Sequence, residues 1–258
     1  MTRKIVSMGM FLFLVYRAGF SQSIADKKLV FEDNGSGDWT DQWFLDGTRA
    51  RVENLPVGMY FAAGPDHGND SSHAVLWTRQ SFHGDLLIEY DYTRVDTATR
   101  CVNILYFLAT GKGGEEYPKD ISAWNEKREV PAMSTYFRNM NTYHISYAAF
   151  KANEYSGDHD YIRLRRYNPD NERLKGSDIL PDTFKTGLFK SFHTYHITVT
   201  CLQDTITMNI QNKHDPADQM TCSWDISDVP DCQEGRIGLR HMYTRSAIYK
   251  DFKVWAIR

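Results

Sequence analysis

What most constrains the fold of this chain is a nearly unbroken succession of short β-type runs in which apolar and polar residues alternate. KLVFED (28–33), QWFLDG (42–47), GMYFAAG (58–64), HAVLWT (73–78), DLLIEYDYTR (85–94), CVNILYFLAT (101–110), TYHISYAAF (142–150), YIRLRRY (161–167), TYHITVTC (194–201), TITMNIQ (205–211), RIGLRH (236–241) and AIYKDFKVWAI (247–257) are rich in β-branched and aromatic residues. Most end at Gly, Asp, Asn or Pro. Runs of this kind bury one face each, which two packed sheets satisfy, and no βα alternation demands a parallel sheet. Only the segment 118–128 hints at a short helix. The expected architecture is an all-β, two-sheet sandwich in a single domain. The connection from Gly111 to Asn139 is long for such a domain, and connections of that length are usually functional or disordered. Its opening GKGGEE is no phosphate loop, because no G-K-[ST] and no helix follow.

The N-terminus and the charge bear on compartment and partners. Arg3 and Lys4 precede the apolar run IVSMGMFLFLVY, which is short for a bilayer span, and Gly19-Phe20-Ser21 supplies small residues where a signal peptidase cuts. Residues 1–21 are therefore expected to be a removed signal peptide, and 22–258 an exported domain, periplasmic or secreted, with no membrane span of its own. The formal charge of −3 becomes more negative once the leader removes Arg3, Lys4 and Arg17 and no acid. Such a balance argues against nucleic acid as a partner. Export permits disulfides. Cys101 and Cys201 fall in strand-like runs that suit buried free thiols, whereas Cys222 and Cys232 flank a short loop and could be bridged.

In NMNTYHISYAAF (139–150), strict alternation puts His144, Ser146 and Ala148 on one face and Tyr143, Ile145, Tyr147 and Ala149 on the other. The tyrosine face suits a core and the histidine face suits a groove. In YIRLRRY, Ile162, Leu164 and Arg166 oppose Tyr161, Arg163 and Arg165; TYHITVTC sets His196 against Ile197 and Val199; RIGLRHM supplies Arg240 and His241. Arginines in strands whose neighbours point into a core suit planar recognition of carboxylate or sulfate. Any one of them would equally suit a solvated face paired with acids. Glu89 and Asp91 share a face of IEYDYTR, but Tyr92, Thr93 and Arg94 stand where a second glutamate would complete a hydrolase set. His73, His83, His144, His159, His193 and His196 show no metal-ligand spacing, and a structural calcium is compatible with the fold but not required.

FEDNGSGDWTDQWFLDG near the start and AIYKDFKVW at the end resemble the paired terminal strands of concanavalin A-like jelly rolls. HAVLWT, the ILYF strand, GGEE, YHISYA, RLRRY and GLRHM followed by AIYKDFKV, taken in order over nearly the whole mature chain, resemble the YesU-like family of bacterial jelly-roll proteins. That family is similar to an exported dehydratase of marine bacteria that acts on ulvan oligosaccharides. The resemblance implies a concanavalin A-like jelly roll that removes water from a non-reducing-end uronic acid, glucuronate or iduronate, to give a 4,5-unsaturated uronate. It implies His144 as the base, Arg165 and Arg240 as carboxylate clamps, Trp77 as a stacking wall, and Tyr106 and His73 as acid candidates. Arg163, Glu115 and His241 follow as further ligands. The implied partner is an anionic oligosaccharide, with no metal and no cofactor. Two other readings stay open, a non-catalytic carbohydrate-binding module and a polysaccharide lyase that would use the same base and arginines.

Overall fold

The computed structural model describes residues 26–151 and 159–258, so the leader expected over residues 1–21 lies outside the described residues. In chain order the strands are β1 (Lys27–Asp33), β2 (Trp43–Asp46), β3 (Arg51–Leu55), β4 (Gly58–Ala62), β5 (Ala74–Thr78), β6 (Phe82–His83), β7 (Leu86–Arg94) and β8 (Cys101–Gly111). They continue as β9 (Met140–Phe150), β10 (Asp160–Tyr167), β11 (Asp178–Phe184), β12 (Thr194–Leu202), β13 (Thr205–Asn212), β14 (Gln219–Asp225), β15 (Glu234–His241) and β16 (Ser246–Ile257). Two α-helical pieces interrupt them, α1 (Trp39–Gln42) and α2 (Met133–Asn139).

Antiparallel pairing builds two eight-stranded sheets. Sheet A runs β14-β13-β12-β7-β16-β4-β3, with β1 against the C-terminal half of β16. Sheet B runs β11-β10-β9-β8-β15-β5-β2, with β6 against the start of β15. This is the two-sheet sandwich that the alternation predicts and the jelly roll that the resemblance implies, with the two terminal strands side by side, from Lys27 opposite Ile257 to Asp33 opposite Phe252. Between the sheets, Ile88, Tyr90, Ile197 and Val199 of sheet A meet Leu105, Ile145, Ile162 and Leu239 of sheet B. Each aliphatic side chain buried there contributes on the order of 1.5–3 kcal/mol.

Four strands and the two short helices α1 and α2 go beyond the sequence reading. β3 (RVENL) and β11 (DILPDTF) are sheet edges, where charge and proline break the apolar alternation of inner strands, whereas the edge strand β14 (QMTCSWD) keeps an alternation through Met220, Cys222 and Trp224; β6 has only two residues. The expected short helix is a 3₁₀ run, Ile121–Arg128, capped by Asp120 accepting from the Ser122 N–H at 2.9 Å. α2 follows it without a side-chain cap. Residues 112–139 are thus an ordered cover: Ile121, Trp124 and Tyr136 pack onto Val75, Trp77, Ile104 and Tyr106 on the outer face of sheet B.

Strict alternation fails at two bulges in sheet B. β9 carries an extra residue at Ala148 (φ 43°) relative to both neighbouring strands. Ala148 consequently joins Tyr147 in the core between the sheets and Ala149 turns outward, the reverse of the expected parity for these two alanines. Arg245 braces this bulge, its Nη1 donating to the carbonyls of Ala148 and Cys101 at 2.5 and 3.0 Å. β8 carries a second bulge, at Leu108 (φ 51°). All four cysteines are buried free thiols, so the bridge considered for Cys222 and Cys232 is not formed. Among the described residues no helix is long and apolar enough to cross a membrane.

Candidate functional site

Cross-strand register gathers the expected site residues into two adjacent rows on the outer face of sheet B. In the first row, Trp77 on β5 lies opposite Gly238 on β15, Gly238 opposite Tyr106 on β8, Tyr106 opposite His144 on β9, and His144 opposite Arg165 on β10. In the second row, Arg240 lies opposite Ile104, Ile104 opposite Ser146, and Ser146 opposite Arg163. Residues directly opposite one another have Cβ atoms about 5 Å apart, so each row is a contiguous strip of side chains. Gly238 is what lets the first row close up, because a Cβ there would meet the Trp77 ring at 2.4 Å. His73, two residues before Val75 and four before Trp77, comes to the same face by the same parity.

Arg240 dominates the site. It is fully buried, its Nη2 donates to His73 Nδ1 at 2.8 Å and to the Pro131 carbonyl at 2.6 Å, and its guanidinium lies 4.6 Å over the Tyr136 ring. Among the described residues no carboxylate pairs with it, and its Nε and Nη1 have no partner. Four more buried polar atoms on this face are also without partners: His73 Nε2, His144 Nδ1, Tyr106 Oη and Tyr167 Oη. Burying an uncompensated charge costs several kcal/mol, and a cluster of unsatisfied groups around it is strongly disfavoured in a purely structural core. Such a cluster has the charge and the free donors and acceptors to engage a polar group of opposite sign.

The other charges nearby are matched. Asp46, fully buried beside Trp77, accepts from Arg128 Nε and Asn125 Nδ2 at 2.6 Å, from Trp77 Nε1 at 2.7 Å and from Tyr136 Oη at 2.8 Å. One carboxylate therefore ties the cover segment to the sheet, and Arg128 neutralises it rather than Arg240. Arg163 donates to Asp182 from Nε and Nη2 at 2.9 and 2.5 Å, and Arg165 donates to Asp178 at 2.6 Å from a partly exposed position.

Burial and the guanidinium field fix the protonation states. His144 is pushed well below the ordinary histidine value, first by burial and then by the positive charges of Arg165, Arg240 and Arg163. His73 is lowered to about 3 by burial and by Arg240. Because a guanidinium only donates, His73 Nδ1 must accept, and the single imidazole proton sits on Nε2, the atom with no partner. His144 Nε2 lies 2.8 Å from Ser146 Oγ. When Nε2 carries the proton and donates it to Ser146, the Nδ1 lone pair is free. Burial raises Tyr106, Tyr136 and Tyr167 alike, but the positive charge of Arg240 pulls Tyr106 back, whereas the other two stand well above the ordinary phenol value.

Three expected ligands fall elsewhere or in another guise. His241 follows Arg240 by one residue and so faces the opposite way, between the sheets, stacked on Phe61 at 4.4 Å with Nε2 2.8 Å from Tyr249 Oη. Glu115 is exposed in the turn that opens the cover segment. Trp77 supports Tyr106 by stacking at 5.4 Å, and like Arg240, Tyr106, His144 and His73 it is fully buried, so the histidine face is a covered layer beneath residues 112–139 rather than the open groove expected. His196 and Glu89 with Asp91 belong to sheet A, where His196 Nδ1 lies 2.9 Å from Asp91. Tyr136, Tyr167, Ser146 and Asp46 were missed. Parity with Arg165 and with His144 could have pointed to Tyr167 and Ser146, while Asp46 and Tyr136 are brought in by tertiary folding alone.

The fold and this face define a lectin-like jelly roll with a buried cationic cluster on one sheet. The chain belongs to a family described as a domain of unknown function, DUF1961, whose model matches residues 31–254. It is 23% identical over 196 residues to the uncharacterized protein YesU of Bacillus subtilis (strain 168), covering 73% of this chain and 79% of that protein. Among solved structures, a Bacillus subtilis protein of unknown function with a galectin-like fold superposes with a TM-score of 0.65 at 18% identity, over 89% of this chain and 97% of that one. The exoplasmic/lumenal domain of VIP36 in its Ca2+/Man3GlcNAc-bound form gives 0.60 at 11% identity, over 90% and 91%. Peanut lectin gives 0.55 at 9%, over 90% and 98%. At these identities the likeness establishes the fold.

Proposed function

We propose that the protein is an exported hydro-lyase that dehydrates a terminal uronic acid of an oligosaccharide, as in ulvan fragments. One observation carries this reading: a fully buried Arg240 that has no acid partner among the described residues, set among atoms of His73, His144 and Tyr106 that have no partner there either. Neighbours of this fold that hold sugars, such as the Man3GlcNAc-bound VIP36 domain, support a carbohydrate as the ligand.

The residues fit the reaction. A uronate carboxylate held by Arg240, with Arg165 and Arg163 nearby, loses its charge penalty, so an enolate-like state at C5 becomes accessible. His144 Nδ1 takes the C5 proton, the released electron pair forms the C4–C5 double bond, and the C4–O bond breaks. Tyr106 gives its phenolic proton to the departing hydroxyl, completing water. His73 is neutral, with its one proton on Nε2, which suits it to donate a hydrogen bond to that oxygen while Tyr106 supplies the proton. A substrate carboxylate also offsets the positive field that depresses His144, so binding itself raises the proton affinity of the base.

Incubation with saturated uronyl-terminated oligosaccharides tests this. Ultraviolet absorbance should grow together with a mass loss of one water at constant chain length. Chain shortening with new reducing ends would instead identify a polysaccharide lyase. A second reading, a binding module for an acidic sugar, is favoured by the depressed His144, which makes a weak base before substrate arrives. Binding of the same oligosaccharides without either product would establish it.

A further inference from the structure

The end of β12 in sheet A, the β8 bulge in sheet B and the β14–β15 connection border a cavity of about 660 Å³ whose lining does not include Arg240. A second hollow of about 680 Å³ shares His83, Leu108, Asp231, Cys232 and Gln233 with it, so the two form one trough. Tyr143 lines the first hollow. Its side chain is fully buried and stacked on Phe107 at 5.4 Å, yet its hydroxyl has no partner among the described residues. Leu108, which lines both hollows, is held at φ 51° although it is not glycine. Gly235 packs so closely against that bulge that a Cβ would meet Ala109 N at 2.3 Å. Residues kept in a strained left-handed conformation cluster at ligand sites.

The charge of the trough is opposite to that around Arg240. Asp85, Asp204 and Asp231 line the first hollow with the amides of Gln203 and Gln233 and with no lysine or arginine. The two cations of the second hollow are engaged: Arg166 Nε donates to the Pro230 carbonyl at 2.7 Å, and Lys119 pairs with Glu234 at 2.9 Å. Among the described residues no three acids, histidines or cysteines are grouped to hold a metal ion. What remains is a set of acceptors for hydroxyl donors, an apolar wall from Leu108, Ile226 and Val229, and a carboxylate field that repels anions.

We infer that this trough binds a neutral, hydroxyl-rich ligand, one or two units of an uncharged sugar, as a second site independent of the Arg240 cluster. Two variants test it: Tyr143→Phe, which removes only the orphan hydroxyl, and the double change Asp204→Ala with Asp231→Ala, which removes exposed carboxylates. Calorimetry or protein-observed NMR would titrate methyl glycosides and disaccharides of glucose, galactose, xylose and rhamnose, with glucuronate in parallel, and Tm would confirm folding. At least one neutral sugar should bind the parent protein and bind either variant about tenfold more weakly, as expected for one lost hydrogen bond to a charged or buried group. Glucuronate binding should be unchanged in both. Failure of every neutral sugar to bind, neutral-sugar affinity indifferent to both variants, or displacement of the neutral sugar by glucuronate would overturn the inference.

Discussion

The outer faces of sheets A and B are built from the same alternation, and both carry charged residues, but they treat those charges in opposite ways. On sheet A, Asp91 is bracketed by His196 at 2.9 Å and by Lys213 at 2.5 Å. Partial burial works against its ionised form, and the two hydrogen bonds outweigh that and hold it below the ordinary carboxylate value, while His196 is raised in return. Around it, Thr221 donates to Asn209 at 2.7 Å in an exposed polar array. On sheet B the face lies buried under the cover segment, and among the described residues Arg240 has no acid and five polar side-chain groups are left incomplete. A paired, wet charge is what a soluble sheet needs. A dry, unmatched one destabilises the fold, and its presence points to function.

Arg240→Met would break that contrast most severely. Affinity for a uronate, and kcat/KM where turnover is measured, should fall by about 10³ or more, in line with losing a buried charge-assisted pair. The same variant should be more stable by about 1–4 kcal/mol, because an uncompensated buried charge is replaced by an apolar chain of similar length. Thermal unfolding alongside the binding assay reads both, and a destabilised Arg240→Met would mean the guanidinium is structural. Next in size, His144→Ala should lower kcat by about 10²–10⁴ with substrate affinity retained, as measured by steady-state kinetics and calorimetry. Loss of affinity without loss of turnover would remove His144 from the base position.

Acid sensitivity sharpens the comparison. His73 and His241, each lowered to about 3, and His144, also lowered, are neutral when folded. Below the ordinary histidine value of about 6.5 the unfolded chain binds protons that the folded one refuses, so stability is complete above that pH and falls as pH drops. Each of the three contributes up to about 1.4 kcal/mol per pH unit down to its folded value. Denaturant midpoints at pH 7, 6 and 5 would show this slope, and His241→Phe should flatten it without touching the outer face. Smallest of all, Asp91→Asn on sheet A should change stability by no more than about 1 kcal/mol and leave activity unaltered.

Much of this was legible from side-chain parity. The period-two pattern puts His144 with Ser146, Arg163 with Arg165, and His73 with Trp77 on common faces, and it predicts a two-sheet sandwich, while the jelly roll comes from the resemblance. Parity also separates His241 from Arg240, although adjacency in RIGLRHM invites grouping them. It could not say which strands are neighbours, so the row from Trp77 through Tyr106 and His144 to Arg165 depends on register that no local signal carries. Nor could it show that Asp46 is consumed by Arg128 and three other donors, which is what leaves Arg240 alone. The bulges were equally hidden, since nothing in YAAF or YFLA marks an alanine or a leucine for a left-handed backbone.

The brace that Arg245 places on Ala148 makes that position the phase mark of its strand. His144 and Ser146 before it, and Ala149 after it, look outward together only because one residue between them is looped out of the count. Deleting Ala148 would barely shorten the chain, yet it would force β9 either to keep its far end in step and turn the imidazole toward the interior, or to slide whole against both neighbours. In this molecule a single miscounted alanine decides whether the histidine faces the outer side of its sheet or the core.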